Sequence, residues 1–221
     1  MTGPSDTFHI EERNLIFDDY RIMLSEEQRE ALVSILRKEG FLKENESFDD
    51  YYRYVTRLLH NPTVEVRNII REERSKLGSA SKQIGVHVRC GGNLADTHEN
   101  TAMVTEGILS SVPSMIRQTI VESGVSGSYV YLATDSSYAY RNLTASLYPI
   151  EVKATSLYKR GHTDQGSVTK LIIRRSIIEL YLIVQSQSLL LSSASSYSRL
   201  IRWMSHTKVL NYINAPYSFL K

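Results

Sequence analysis

The chain has 221 residues, 42% hydrophobic and 23% charged, an ordinary globular mix that can bury a sizeable core. Its net charge of +2 is too small to argue for a nucleic-acid partner, and its single cysteine, Cys90, excludes an internal disulfide and a zinc cluster of thiolates. No segment reaches the ~18 uninterrupted apolar residues of a membrane helix, and Met1 to Asp6 lacks a basic region followed by an apolar core, so the expectation is either a cytosolic protein or a soluble part of something longer.

Residues 1–10 read as loose. Ser25 can cap a helix, with Gln28 completing a capping box and Ala31, Leu32, Ile35 and Leu36 forming one apolar face up to Gly40. A second helix is predicted from Ser47, with Asp49 and Asp50 at the positive end of its dipole. Its stripe is Tyr51, Tyr54, Val55, Leu58 and Leu59, and Asn61-Pro62 breaks it. Thr63 to Leu77 is a third helix, with Val64, Val66, Ile69 and Ile70 inward and the charged run Arg71 to Arg74 in water. The small polar stretch Gly78 to Ser81 then divides a helical region, 1–80, from a second domain, 81–221.

Past that point strand and helix alternate. Ile84–Val88 is a strand. Met103 to Ser123 is helical, with an interruption expected near Pro113. Tyr129–Ala133 is a strand, Tyr138 to Leu147 a helix and Ile150–Val152 a short strand. Thr155 to Ser167 is a polar loop. Thr169 to Gln185 is a long helix, Leu189–Leu191 a strand, Tyr197 to Met204 a helix and Lys208–Tyr212 a last strand. This rhythm predicts an α/β fold: a Rossmann-like parallel sheet with helices on both faces, preceded by a helical region.

Three polar loops follow three of these strands: His87-Val88-Arg89-Cys90-Gly91-Gly92, Ala133-Thr134-Asp135-Ser136, and Ser192 to Ser198. Parallel strands put their carboxyl ends on one edge, so the loops should converge where open α/β sheets bind ligands. An arginine there can grip a phosphate with two charge-assisted hydrogen bonds. Gly91 and Gly92 let backbone N–H groups approach the same anion, and the serine loop opens a helix whose free N–H groups suit a phosphate. These features point to a nucleotide or nucleotide-sugar site. Blander roles stay open at each position. His87 can be a packed core histidine, Arg89 a surface cation, Asp135 a helix cap and the serine run a set of caps and turns. Cys90 reads as a small packed residue rather than a nucleophile.

The segment from about residue 62 to 212 resembles the donor domain of the fucosyltransferase superfamily, the α-1,6, α-1,2 and protein O-fucosyltransferases with the two-lobed GT-B fold. The resemblance rests on Ile84-Gly85-Val86-His87-Val88-Arg89, on Val130-Tyr131-Leu132-Ala133-Thr134-Asp135, and on Ile178-Glu179-Leu180 with Ser193 to Ser198. It implies that Arg89 binds the donor β-phosphate with His87 beside it. It implies that Asp135 lies near the donor, that Glu179 stands where the family has an aspartate near the nucleotide, and that Ser195 and Ser196 lie at the pyrophosphate. The implied donor is GDP-fucose, and the implied reaction is transfer with inversion to a glycan or protein hydroxyl, usually without a required metal. A guanidinium and backbone N–H groups would stabilise the charge growing on the leaving phosphate. Asp96 and Glu99, in the loop after the arginine, are candidates to take the acceptor proton, or are solvated loop carboxylates.

The chain departs from the pattern at Arg89-Cys90-Gly91-Gly92, where many relatives carry a second arginine and an aspartate. Residues 1–80 are also too short and too helical for a full acceptor lobe, so the acceptor side is a reduced helical module, or another chain supplies it, or this is a fragment. The resemblance implies the secretory pathway if the chain is a fragment of a eukaryotic enzyme, and the cytosol if it is complete. The rival reading is a binding or interaction module that keeps the fold alone.

Overall fold

A computed structural model describes residues 26–40, 42–47, 61–96, 102–155, 170–193, 195–205, 207 and 209–213. The chain separates into two compact units, Met1–Tyr52 and Arg53–Lys221.

In the first unit α1 spans Glu26–Lys38. Gly40, at φ 77°, reverses the chain in the left-handed conformation that costs glycine nothing. The reversal brings the Leu42 N–H to the Leu36 carbonyl at 3.2 Å, and both side chains are buried. Ile35, expected on the apolar face, is instead 55% exposed, because Leu42 folds back onto Leu36 and not onto it. Most of the helix expected from Ser47 lies outside the described residues.

The second unit opens with α2 (Val64–Lys76), capped by the Thr63 hydroxyl. Two expectations about α2 are corrected. Val64 is 63% exposed rather than inward, and Glu73, placed in water by its charge, is buried among polar partners described below. α2 also packs against a later helix of the same unit, so the stretch 78–81 lies inside this unit.

Strands β1 (Gln83–Val88), β2 (Tyr129–Thr134), β3 (Val152–Lys153), β4 (Ser188–Ser192) and β5 (Val209–Ile213) form one sheet in the order β3-β2-β1-β4-β5. Every pairing is parallel, with Ile84 opposite Val130 on one side and Ser188 on the other. All residues of β1, β2 and β4 are buried, as a sheet covered on both faces requires. Ile84, Val86, Val88, Val130 and Leu132 face α3 (Glu106–Ser123) and α4 (Ser137–Leu147). Tyr131, Ala133, Leu189 and Leu191 face α2, α5 (Lys170–Ile183) and α6 (Ser196–Met204). The parallel α/β architecture with helices on both faces is therefore present.

α3 starts at Glu106 rather than Met103, because the N–H groups of Met103 and Val104 both donate to the Cys90 carbonyl, at 2.7 and 3.1 Å. It runs through Pro113 without interruption. The proline forfeits one helical hydrogen bond, while Leu109, Val112, Ile116 and Thr119 keep the helix seated on the sheet. β3 begins at Val152, two residues later than expected, because Ile150 still bonds back to Leu147. The expected polar loop beyond Thr155 lies outside the described residues. Among the described residues no helix is long and apolar enough to cross a membrane.

Candidate functional site

The three polar loops leave β1, β2 and β4, which are neighbours in the sheet, so their carboxyl ends share one edge. Ser192, the last residue of β4, stitches two of them together. Its hydroxyl accepts the Arg89 N–H at 3.0 Å and donates to the His87 carbonyl at 3.2 Å. Beyond β1 the backbone turns through Gly91 (φ 61°, ψ −171°) and Gly92 (φ 53°). The first of these is a conformation that essentially only glycine adopts.

The turn wraps around the carboxylate of Asp135. One Asp135 oxygen accepts the Cys90 N–H at 2.8 Å; the other accepts the Gly91 N–H at 3.0 Å and an Arg89 guanidinium N–H. Both charged side chains are less than a tenth exposed. Three donors thus converge on one anionic group, which is the geometry of an oxyanion cradle, and Asp135 occupies it. Asp135 is not the cap of α4. Ser136 fills that role, its hydroxyl accepting the Ala139 N–H at 3.0 Å.

Asp96 lies next to this arrangement. Its N–H donates to the Asp135 carbonyl at 2.9 Å, and its exposed carboxylate accepts the Ser137 N–H at 2.6 Å and the Ser137 hydroxyl. It therefore fixes the start of α4. Glu99 lies outside the described residues.

His87 is buried beneath the edge. Its Nδ1 lies 2.7 Å from the Ser198 hydroxyl, and its ring tilts against Tyr197 with centroids 5.0 Å apart. It so ties β1 to the first turn of α6. Ser195 caps that helix, its buried hydroxyl accepting the Ser198 N–H, while Ser193 and Ser196 stand exposed.

Glu179 sits in a separate buried network. It accepts two hydrogen bonds from Arg175, at 2.9 and 2.7 Å, one turn away on α5. Arg175 also donates to the Thr155 carbonyl at 3.0 Å, and the Thr155 hydroxyl donates to Glu73 at 3.0 Å. Tyr131 is fully buried beside this network, and among the described residues its hydroxyl makes no hydrogen bond of normal geometry. Burial pushes the Tyr131 phenol well above its ordinary pKa, with the Glu179 charge adding to the effect. Sequence reasoning missed Glu73, Thr155 and Arg175. The available signal was Arg175 and Glu179 at i and i+4 in a helix rich in Ile and Leu, a spacing that pairs them on one face.

Cys90 is fully buried. Burial, and then the Asp135 charge, push its thiol up to about 12, so it stays a neutral packed group. Among the described residues no group of three or more His, Cys, Asp or Glu could hold a metal ion.

No family model and no curated protein matches the chain. Solved structures with a similar fold include the fucosyltransferase NodZ from Bradyrhizobium, at 19% identity and a TM-score of 0.43, covering 65% of this chain and 43% of that one. NodZ α-1,6-fucosyltransferase co-crystallised with GDP matches at 18% and 0.44, covering 65% and 42%. POFUT1 in complex with GDP-fucose matches at 11% and 0.48, covering 76% and 49%. The chain thus spans less than half the length of each. The chain is a parallel α/β domain whose carboxyl edge carries a buried arginine–aspartate pair beside the exposed Ser193 and Ser196.

Proposed function

We propose that the carboxyl edge binds the diphosphate of a nucleotide sugar, and that the chain is the donor-binding part of a fucosyltransferase-type glycosyltransferase. The observation that carries this reading is the convergence of the Arg89 guanidinium with the Cys90 and Gly91 N–H groups. In the proposed complex a donor β-phosphate shares or takes these donors. Ser193, Ser195 and Ser196, at the start of α6, face the other phosphate, where the helix dipole favours negative charge. Gly92 lets the backbone come close, His87 holds α6 in register, and Glu179 anchors the wall of α5 near the nucleotide. As the glycosyl bond breaks, negative charge develops on the leaving phosphate, and the fixed guanidinium and amides stabilise it. Asp96 or Glu99 takes the proton of the acceptor hydroxyl. In this reading GDP-fucose is the donor, no metal is required, and the acceptor side falls to the amino-terminal region or to a partner chain.

One observation favours a second reading, a binding module without turnover. The cradle is filled by the protein's own Asp135, and Cys90-Gly91-Gly92 replace the second arginine and the aspartate of the related pattern. Calorimetry separates the two. GDP, GDP-fucose, GDP-mannose and UDP are titrated into the protein without metal, alongside the Arg89→Ala variant, and donor hydrolysis is followed in parallel. Guanine-selective binding that is lost in Arg89→Ala, with turnover, supports the transferase. Binding without turnover supports the module. No binding of any nucleotide refutes the site.

A further inference from the structure

α2 carries its opposite charges on different sides. Glu65 pairs with Arg174 at 3.2 Å, and Glu72 and Glu73 pair with Lys76. Arg67, Arg71 and Arg74 fall with Ile70 on a single stripe, at helical positions i, i+4, i+7 and i+3. Among the described residues these arginines meet only neutral oxygens. Arg67 donates to the Asn61 amide at 3.1 Å, Arg71 to the Asn68 amide at 3.1 Å, and Arg74 to the Gln83 amide and the Gly78 carbonyl. The stripe lines a cleft of about 500 Å³ that also takes in Ile70, Tyr181 and Met204. The cleft lies at the amino end of the sheet. Arg74 bonds to Gln83, the first residue of β1, and Met204 closes α6 ahead of β5. It is therefore remote from the Arg89 edge and independent of the donor-site reading.

From this we infer that the cleft is a docking site for an acidic peptide segment of a partner protein. Among the described residues the three guanidiniums meet no carboxylate, and together they supply the charge complement. The spacing fits. Arg67 and Arg71 are offset by about 6 Å along the helix axis. Alternate residues of an extended peptide are about 6.6–6.8 Å apart and point to one side. A segment that alternates acidic and apolar residues therefore presents successive carboxylates to Arg67 and Arg71, bidentate where the fork allows, with Arg74 one turn further adding positive charge.

The test is fluorescence anisotropy on the full chain with dye-labelled Glu-Leu-Glu-Leu-Glu, and with Gln-Leu-Gln-Leu-Gln carrying the same dye. The acidic peptide should bind and the neutral one should not. The exposed pair Arg67→Gln/Arg71→Gln should weaken binding at least tenfold, with thermal melting unchanged. The control Lys82→Gln/Arg141→Gln removes the same charge elsewhere and should change binding less than twofold. Failure of the acidic peptide to bind, or an equal loss in the control pair, overturns the proposal. Two further outcomes also overturn it. One is tripolyphosphate displacing the peptide more effectively than unlabelled peptide does, which makes this a phosphate site. The other is a concentration-dependent dimer that Arg67→Gln/Arg71→Gln abolishes, which makes it a self-interface.

Discussion

Arg89 and Asp135 meet across two neighbouring parallel strands, at the first residue beyond each, and both side chains are buried there. The two backbone N–H groups that also reach Asp135 make the pair part of the loop's architecture. Removing one member leaves the other charge buried without its counter-ion, which typically costs about 3–5 kcal/mol. Asp135→Ala is expected to lose stability in that range in urea unfolding. The double variant Asp135→Ala/Arg89→Ala should recover part of the loss, because no uncompensated charge remains.

Under the nucleotide-sugar reading, Arg89→Lys keeps the charge and loses the fork. It is expected to weaken GDP binding by about tenfold, equivalent to roughly 1.4 kcal/mol. Calorimetry checks this, and an unchanged dissociation constant would remove Arg89 from the proposed phosphate contact.

Cys90 should resist iodoacetamide at pH 8 in the native protein and react at the rate of a free thiol once unfolded in urea. Folding raises its pKa from 9.0 to about 12. Below pH 9 the thiol is neutral in both states and contributes no pH dependence. Between 9 and 12 only the unfolded state releases the proton, so the thiol lowers stability as pH rises through that window. Urea midpoints for wild type and Cys90→Ala across that window measure this contribution as a difference in slope.

Gly85→Ala is expected to destabilise the domain by about 1–3 kcal/mol through overpacking. A Cβ at that position would lie 2.5 Å from the Ser186 hydroxyl, 2.7 Å from Leu189 and 2.8 Å from Ile183, where β1 meets the turn between α5 and β4. Thermal melting checks it, and a neutral result would show that this turn yields more readily than its packing suggests.

Tyr131→Phe is expected to leave stability unchanged or to raise it by about 1 kcal/mol. It deletes a buried hydroxyl that meets no partner among the described residues, and leaving such a group unmade costs about 1–3 kcal/mol. A clear loss of stability in urea unfolding would show that an ordered water satisfies the hydroxyl in solution.

The elements were legible in the sequence where one period dominated. Ile84–Val88 is a continuous apolar run, and it became a central strand buried on both faces. The start of one helix at Thr63 and the end of another at Ser123 were legible as well, and the structure shows Thr63 capping α2 and Gly124 ending α3 in the left-handed conformation. What stayed hidden depended on partners distant in the chain. Glu73 reads as solvated inside a charged run, yet Thr155 meets it from 82 residues away. Asp135 reads equally well as a cap, and only the neighbouring strand shows that the turn after β1 closes on it. Asp96 reads as a free loop carboxylate until Ser137 claims it. The convergence of three loops on one edge could be argued from parallel pairing alone. The use of the cradle by the protein's own carboxylate could not.

The sheet order also sets a timetable for the nascent chain. β1 sits at the centre, but its partner β4 comes so much later that Arg89 and Ser192, which close that seam, are 103 residues apart. At synthesis rates of about 5–20 residues per second, roughly 5–20 s pass between the emergence of the two strands. Through that interval the innermost strand has one bare edge, and its hydrogen-bonding groups are open to any other extended segment. This domain should depend on chaperones during translation more than its modest size suggests, and should aggregate when its synthesis stalls before residue 188.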